Sequence, residues 1–275
     1  MRDTSKAIPD LSFDAERDGP YERLQADLCK PGSLIAAVKS SKAQRAFIYL
    51  DHSSPDHMRS ALQALKSAGI NFIVFLSSFT VYKKAQEIQP NEIIPYNHAQ
   101  VELNVQEIFG SEHSVILRPG VFVTNLLDHK NGISSGQVAL FGPRWEIDAI
   151  APNDIGEVAG TIIASGPLNE QHIIYLYGPQ IIQQSAAIQK IGQILEKNVQ
   201  ILELDATERL ARYAQTGASK PFAKYMVELM NRNSADASSY RVNYEEGVQN
   251  VAMYTGHPAT SFEEWAVANK GLFLV

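Results

Sequence analysis

The sequence predicts an α/β protein built around a parallel sheet. Three short apolar runs, each bounded by polar residues, have the length and composition of strands buried on both faces; they span residues 46–50, 71–76 and 114–118. Segments of helical periodicity separate these runs, and a strand-helix-strand succession implies that the strands run parallel. These two observations place the chain in the α/β class, and 275 residues are enough for a sizeable core.

The helices between these strands have recognisable ends. Ser54 is predicted to cap a helix that has Pro55 in its first turn and ends at Gly69. A second helix is expected over residues 96–109, directly before the third strand. After Pro152 a further helix is expected, with Asn153 or Asp154 as its cap.

The C-terminal half continues with alternating elements. In the helix after Pro152, Gly156 and Gly160 share a face, which indicates close packing against a neighbour. A final helix is expected from a capping box formed by Ser261 and Glu264. Between them the periodicity predicts a strand at 173–177 and helices at 184–197 and 206–233, the last interrupted at Gly217 and Pro221.

The segment 206–233 allows two interpretations. Its aromatic and methionine residues recur at helical spacing, as on a helix face that packs into a core. The same side chains suit a flexible apolar lid over a substrate, because they adapt to irregular ligands. The residues in question are Tyr213, Phe222, Tyr225, Met226 and Met230.

Composition narrows the possible partners. The net charge of −6 and the absence of a basic cluster argue against binding to nucleic acid or to an anionic membrane. A single cysteine and a polar N-terminus indicate a cytoplasmic protein. We expect a small-molecule substrate, with a homo-oligomer or a regulatory protein partner as further possibilities. His52 and His57 have no third candidate ligand nearby, so no metal site is predicted.

Ligands of parallel sheets bind beyond the carboxyl ends of the strands. The run 77–82 that follows the second strand is rich in hydroxyl groups and is suited to meet a ribose or a carbonyl, although ordinary turn chemistry explains it equally well. After the third strand, Pro119 and Gly120 shape a turn in which Phe122 can offer an apolar face to a flat ring.

Four motifs, in order and at suitable spacing, resemble the NmrA-like branch of the atypical short-chain dehydrogenases, especially its fungal members. They lie at residues 74–78, 98–102, 117–125 and 152–156, and the resemblance extends over roughly residues 20 to 275. It implies a Rossmann-like domain that binds NADP or NAD and a smaller, mainly helical lobe that closes over a substrate cleft. The expected boundaries are a flexible arm at 1–20, a Rossmann-like domain at 21–165 and a lid lobe at 166–275.

The resemblance also implies roles for individual residues. The strand-end loop would meet the nicotinamide ribose, and the Arg-Pro-Gly-x-Phe turn would border the nicotinamide ring. Asp27 and Leu28 resemble the end of the family's third strand beside the adenine, and Arg2 resembles an arginine that selects a 2'-phosphate. The implied cofactor-binding residues are Arg2, Asp27, Leu28, Ser77, Ser78, Phe79, Gln100, Pro119, Gly120 and Phe122.

The expected catalytic residues are Tyr96, His98 and Gln100. Dehydrogenases of this superfamily commonly use Tyr-x-x-x-Lys, in which the lysine lowers the pKa of the tyrosine. Here Gln100 takes the lysine's place and carries no positive charge. Tyrosine-lysine reduction is therefore not expected, whereas Tyr96 or His98 can transfer a proton by another arrangement.

The glycine pattern predicts weak or absent dinucleotide binding. No two of the 17 glycines stand two or three residues apart, so the loop that seats pyrophosphate on a helix N-terminus is missing from this sequence. If Arg2-Asp3 ends the family's second strand, its first strand and glycine loop would precede Met1. The strand at 46–50 would then have an unpaired edge, so the chain would need a remodelled arm or an oligomer, or would fold poorly.

Three functions remain open on the sequence. The first is an NAD(P)-dependent oxidoreductase-like protein that acts on a small organic molecule. The second is a non-catalytic regulatory or redox-sensing protein that binds a partner through the sheet edge or the C-terminal lobe. The third is a cofactor-free cyclase or isomerase that uses the same cleft.

Overall fold

The centre of the molecule is a parallel sheet of four strands. The structure, a computed structural model, describes residues 1–8, 11–231 and 241–274. The sheet strands are β1 (Arg45–Tyr49), β2 (Phe72–Leu76), β3 (Ser114–Pro119) and β6 (Ile173–Leu176), in the order β1-β2-β3-β6. The predicted α/β class with a Rossmann-like parallel sheet is confirmed.

The register brings the carboxyl ends of the strands to one level. Tyr49 pairs with Leu76, Leu76 pairs with Leu117, and Pro119 pairs with Leu176. The residues that follow β1, β2 and β3 therefore emerge along one edge of the sheet, which is where ligands bind in open α/β folds.

Helices cover both faces of the sheet. The helices are α1 (Phe13–Asp18), α2 (Pro31–Ser41), α3 (Arg59–Ala68), α4 (Ile93–Phe109), α5 (Lys130–Ser135), α6 (Pro152–Ser165), α7 (Gln184–Ile194), α8 (Ala206–Gln215), α9 (Lys220–Asn231), α10 (Tyr244–Thr255) and α11 (Phe262–Ala268). Helices α2, α3 and α4 share one apolar cluster with Ile48, Ile73 and Ile116 of the sheet. Helices α6 and α10 share another with Val74 and Ile174, so side chains of β2 are buried on both sides.

A smaller lobe rests on two additional strand pairs. Strands β4 (Gln137–Leu140) and β8 (Gln200–Glu203) pair in parallel, and β5 (Glu146–Ile147) pairs antiparallel with β7 (Ile182–Gln183). Their buried and partly buried apolar side chains join those of α5, α7 and α11 in a single apolar cluster. This lobe lies at the same end of the molecule as the strand-end loops, because a short bridge joins Phe122 to Ile150.

Two helix starts differ from the sequence-based expectation. Helix α3 begins at Arg59 and not at Ser54, because His57 and Met58 have left-handed backbone conformations that interrupt a helix. Pro221 lies in the first turn of α9, where proline is tolerated, and the break between α8 and α9 falls around Gly217 alone.

The predicted roles of Gly156, Gly160 and Asp154 in α6 are wrong. A side chain at either glycine would meet no atom within 4 Å, so neither packs closely against a neighbour. The helix begins at Pro152, and the Asp154 carboxylate accepts hydrogen bonds from the backbone N–H (2.8 Å) and the hydroxyl (2.7 Å) of Thr260. Asp154 thus fastens the segment before α11 to α6.

The N-terminal residues contact the main body through Met1 and Arg2. The amino group of Met1 donates to the Leu24 carbonyl, and the Met1 carbonyl accepts from the N–H of Ala26. Arg2 forms ion pairs with Asp27 and with Asp51 at the end of β1. Within the described residues, no helix has the length and apolar character needed to cross a membrane.

Candidate ligand-binding site

A cavity of about 480 Å³ opens at the carboxyl ends of β1, β2 and β3. This volume lies within the range of small-molecule sites. Its base consists of the residues that follow the strands. They include Leu50, Ser77, Ser78, Phe79, Pro119, Gly120 and Phe122.

Backbone hydrogen bonds fix these strand-end loops. The N–H of Ser77 donates to Leu117, the N–H of Phe79 donates to Pro119 (3.0 Å), and the N–H of Gly120 donates to Leu176 (2.8 Å). Each loop is therefore held by the neighbouring strand and not by its own turn alone. Six of the ten residues implied to bind cofactor line this cavity, namely Ser77, Ser78, Phe79, Pro119, Gly120 and Phe122.

The remaining wall is mainly aromatic and apolar. Trp145 comes from the smaller lobe, and Tyr225, Met226 and Leu229 come from α9. Met230, one residue further along α9, instead packs into a cluster with Phe141 and Leu204. One side of α9 therefore lines the cavity while another belongs to the core. The core interpretation applies to Met230, and the lid over a substrate stays a prediction.

Behind the wall lies a buried polar network. Arg118 forms a two-pronged ion pair with Glu102 (2.6 and 3.0 Å) and donates to the hydroxyl of Tyr175 (2.7 Å). Ser77 donates its hydroxyl to the same Glu102. The Ser77 hydroxyl is thus used inside the core, whereas the Ser78 hydroxyl pairs with Thr80 (2.8 Å) at the cavity.

His98 is the one residue of the three expected catalytic residues that lines the cavity. Burial, reinforced by the neighbouring His52, lowers the pKa of His98 to about 3. The ring is therefore neutral near pH 7, and its Nδ1 atom is buried without a hydrogen-bond partner. A neutral imidazole offers one donor and one acceptor but cannot act as an imidazolium acid.

Tyr96 and Gln100 lie outside the cavity wall. Tyr96 packs edge-on against His57, with ring centroids 5.8 Å apart, and contacts the apolar cluster around Val81 and Ala99. The chain therefore does not bring the three expected catalytic residues together at this cavity.

Arg2, Asp27 and Leu28 also do not line the cavity. The Nε atom of Arg2 lies 3.2 Å from a carboxylate oxygen of Asp27, as expected for residues at two neighbouring strand ends. Neither residue, however, belongs to a strand. Leu28 packs against the cluster beneath α2 and α3. Asp27, Cys29 and Asp51 lie close enough to share an ion, yet both carboxylates already pair with the Arg2 guanidinium.

Arg241 is a cavity residue that sequence reasoning missed, together with Trp145. Its Nη2 donates to the Glu146 carbonyl (2.6 Å), and its Nε lies 3.5 Å from the carboxylate of Asp148. Because these partners stand more than 90 positions earlier in the chain, no local pattern indicates their meeting. In the sequence, Arg241 is visible only as a charged residue between apolar neighbours, and this pattern is not specific for a binding site.

Comparison with known proteins identifies the family. No protein-family model matches the chain. The nitrogen metabolite regulation-like protein bik4 of Gibberella fujikuroi is 32% identical over 289 residues, which cover 96% of this chain and 86% of that protein. The chain belongs to the NmrA-like family.

Solved structures share the fold of this NmrA-like protein. The NADPH-dependent quinone oxidoreductase QOR2 of Escherichia coli, complexed with NADPH, has a TM-score of 0.67 at 16% identity, with 89% of this chain and 82% of that chain covered. The triphenylmethane reductase of Citrobacter sp., complexed with NADP(H), has a TM-score of 0.64 at 15% identity (94% and 88% covered). A nucleoside-diphosphate-sugar epimerase of Staphylococcus aureus reaches 0.69 at 13% identity (97% and 88% covered).

Residues expected at the nicotinamide end of a dinucleotide line the cavity of this NmrA-like protein. Ser78, Phe79 and Phe122 provide hydroxyl and aromatic groups where the nicotinamide end is expected. A pyrophosphate is normally held by closely spaced glycines at a helix N-terminus, and this sequence has no such pair of glycines. In the part of the chain that the structure describes, β1 pairs with β2 alone.

Proposed function

We propose that this NmrA-like protein is an oxidoreductase-like protein that binds a small, flat, conjugated organic molecule at the carboxyl ends of β1, β2 and β3. The observation that carries the proposal is the cavity of about 480 Å³, which has Phe79, Phe122, Trp145 and Tyr225 in its wall. Aromatic walls with a few polar groups are typical of sites for planar ligands.

Different residues of the wall are suited to contact different parts of the ligand. Phe79 and Phe122 present aromatic surface from two neighbouring strand ends, and Trp145 and Tyr225 close the cavity from the smaller lobe. Ser78, Thr80 and Asn125 supply hydrogen bonds that can orient a carbonyl group. NADP(H) or NAD(H), when bound, would supply a hydride; we expect it to bind weakly, through its nicotinamide end.

The chemistry of the wall favours a conjugated acceptor. His98 is neutral near pH 7, so it can donate a hydrogen bond to a carbonyl oxygen without delivering a proton as an acid. A conjugated acceptor spreads the electron pair it receives over several atoms and has little need of a strong acid. Solved proteins with this fold include one named as a quinone oxidoreductase and one named as a triphenylmethane reductase.

Three observations favour a second candidate function, that of a non-catalytic regulator. Gln100 stands in the place of the superfamily's lysine, and closely spaced glycines are missing. The relative from Gibberella fujikuroi is named as nitrogen metabolite regulation-like. In this alternative the cavity binds a small molecule as a signal, and a protein partner binds elsewhere.

The test combines binding with turnover. Menadione, a neutral quinone, is titrated calorimetrically into the Cys29→Ser variant, because the exposed Cys29 thiol would add to a quinone. Consumption of NADPH is then followed with and without menadione. Phe122→Ala is expected to weaken menadione binding about tenfold, whereas Phe13→Ala, at a residue 73% exposed, leaves it unchanged.

The possible outcomes separate the candidates. Menadione binding with menadione-dependent NADPH consumption supports the oxidoreductase-like function. Saturable binding without turnover supports the regulator. Absence of menadione binding, or binding that Phe122→Ala leaves unchanged, contradicts the proposed site.

A further inference from the structure

His98 lines the cavity with a ring whose two nitrogens differ in their surroundings. Its Nδ1 atom is enclosed by protein and has no hydrogen-bond partner. The ring lies against those of Phe75 and His52, with centroids 6.3 and 6.4 Å away. Among the described residues, Nε2 is not one of the enclosed unpaired atoms. It is therefore the nitrogen through which the ring meets the cavity.

These surroundings decide which nitrogen carries the imidazole proton. Burial lowers the pKa of His98 to about 3, so near pH 7 the ring has one N–H and one bare nitrogen. A buried N–H without an acceptor is rarer in proteins than a buried acceptor without a donor. The proton therefore belongs on Nε2, where a ligand or water can accept from it, and Nδ1 is the bare nitrogen.

A second donor comes from the hydroxyl pair that follows β2. The side-chain oxygens of Ser78 and Thr80 lie 2.8 Å apart, and the Ser78 oxygen also accepts from the N–H of Thr80. Whichever hydroxyl donates to the other, the hydrogen of the second hydroxyl stays available. Both residues line the cavity, so this hydrogen can reach a ligand.

The described part of the cavity wall contains no aspartate and no glutamate. With two available donors and no carboxylate, the wall suits a ligand oxygen that accepts hydrogen bonds and has none to donate. A carbonyl oxygen meets this requirement. An apolar group in the same place would leave the Nε2 proton of His98 unpaired, which costs binding free energy.

We propose, as a refinement that rests on the proposed function, that the cavity selects carbonyl compounds and that His98 determines this specificity by donating from Nε2 to the carbonyl oxygen. The hydroxyl pair of Ser78 and Thr80 is the second donor. Phe79 and Phe122 supply surface for the flat part of the ligand. His98 acts through a fixed hydrogen bond and gives up no proton, so the preference for a carbonyl group does not change between pH 5 and 8.

Two probes of one shape test this specificity. In 2-isopropenylnaphthalene a CH₂ group takes the place of the carbonyl oxygen of 2-acetylnaphthalene. Equilibrium dialysis measures the dissociation constant of each probe at pH 5 and at pH 8. The wild-type chain is expected to bind 2-acetylnaphthalene about fivefold more tightly than 2-isopropenylnaphthalene at both pH values, since one hydrogen bond separates the two probes.

Three variants separate recognition from folding. His98→Phe keeps a ring but has no N–H, and it is expected to reduce the preference to less than about twofold. His98→Gln retains an N–H donor and is expected to retain most of the preference. His113→Phe alters an exposed histidine and is expected to change nothing. Circular dichroism verifies that each variant is folded.

Nitrogen-15 NMR of the histidine side chains provides a measurement that needs no variant. The Nε2 atom of His98 is expected to carry the proton, and the ring is expected to stay neutral from pH 5 to pH 8. A proton found on Nδ1 would contradict the proposed hydrogen bond.

Equal affinity of the wild type for the two probes would overturn the role of His98 while leaving the proposed function intact. A preference for 2-acetylnaphthalene that persists in a folded His98→Phe chain, or one that changes between pH 5 and pH 8, would do the same. Failure of both probes to bind contradicts the cavity as a site for flat ligands, and with it the proposed function.

Discussion

At Gly120 a side chain has no room, because its Cβ would overlap the carboxylate of Asp148. The residue has no positive φ, so space and not backbone freedom requires the glycine. We expect Gly120→Ala to lower the free energy of unfolding by about 1–3 kcal/mol and to weaken ligand binding, since the turn and Arg241 shift together. Urea denaturation and calorimetric titration measure the two effects.

Gly160→Ala is the matched control for this substitution. Gly160 lies on the open side of α6, where a Cβ meets nothing within 4 Å. Alanine is the better helix former, so this variant is expected to gain about 0.5–1 kcal/mol of stability. A Gly120→Ala chain as stable as the wild type would show that Asp148 does not lie against residue 120.

His98 makes stability depend on pH. Its pKa is about 3 in the folded chain and about 6.5 when unfolded. Between these values the unfolded chain binds more protons, so the free energy of unfolding rises with pH. The contribution of neutral His98 is fully present above about pH 6.5 and is lost as the pH falls towards its folded pKa.

We therefore expect His98→Gln to flatten the acid side of the stability profile. As the pH falls, the free energy of unfolding of the wild type should decrease by up to about 1.4 kcal/mol per pH unit because of this one group. The variant should lack this contribution. Urea denaturation at a series of pH values checks the slope, with His113→Gln, an exposed histidine, as the control. Parallel profiles for wild type and His98→Gln would contradict the low pKa.

At the scale of elements, the strands and most helices follow from local sequence. Short apolar runs bounded by polar residues define β1, β2 and β3, and the capping box at Ser261 and Glu264 defines the start of α11. The start of α3 was missed because the left-handed backbone at His57 and Met58 leaves no pattern in the residue types. The predicted cap of α6 was wrong because the Asp154 carboxylate accepts hydrogen bonds from Thr260, far along the chain, and does not cap its own helix.

This last contact gives a prediction about α11. Asp154→Ala removes two hydrogen bonds to Thr260 and is expected to cost about 2–4 kcal/mol. Asn153→Ala, at an exposed neighbour in the same turn, is expected to change stability by less than about 0.5 kcal/mol. Hydrogen exchange should accelerate first in α11. Equal stability of the two variants would contradict the fastening role of Asp154.

At the scale of the whole molecule, β1 is an edge strand with an exposed apolar side chain. Phe47 is 40% exposed, and within the described residues β1 has β2 as its sole strand partner. Apolar strand edges of this kind pair readily with other chains. We expect the protein to self-associate through this edge as its concentration rises.

Sedimentation velocity tests this expectation. Phe47→Lys places a charge on the edge and should shift the protein towards the monomer. Met253→Lys alters a similarly exposed apolar residue on α10 and should not, since α10 packs against β6 at the opposite edge of the sheet. A wild-type chain that stays monomeric over the whole concentration range would show that this edge has no such role.

The sequence by itself determined the α/β class, the parallel direction of the strands and the strand-end residues Ser78, Phe79, Pro119 and Phe122. These features depend on local periodicity and on where an apolar run stops. Tertiary structure alone decided that the Ser77 hydroxyl turns to Glu102, that Tyr96 and Gln100 stay outside the cavity, and that Arg241 meets Asp148 within it. Those outcomes depend on burial and on contacts between residues far apart in the chain, which no local pattern encodes.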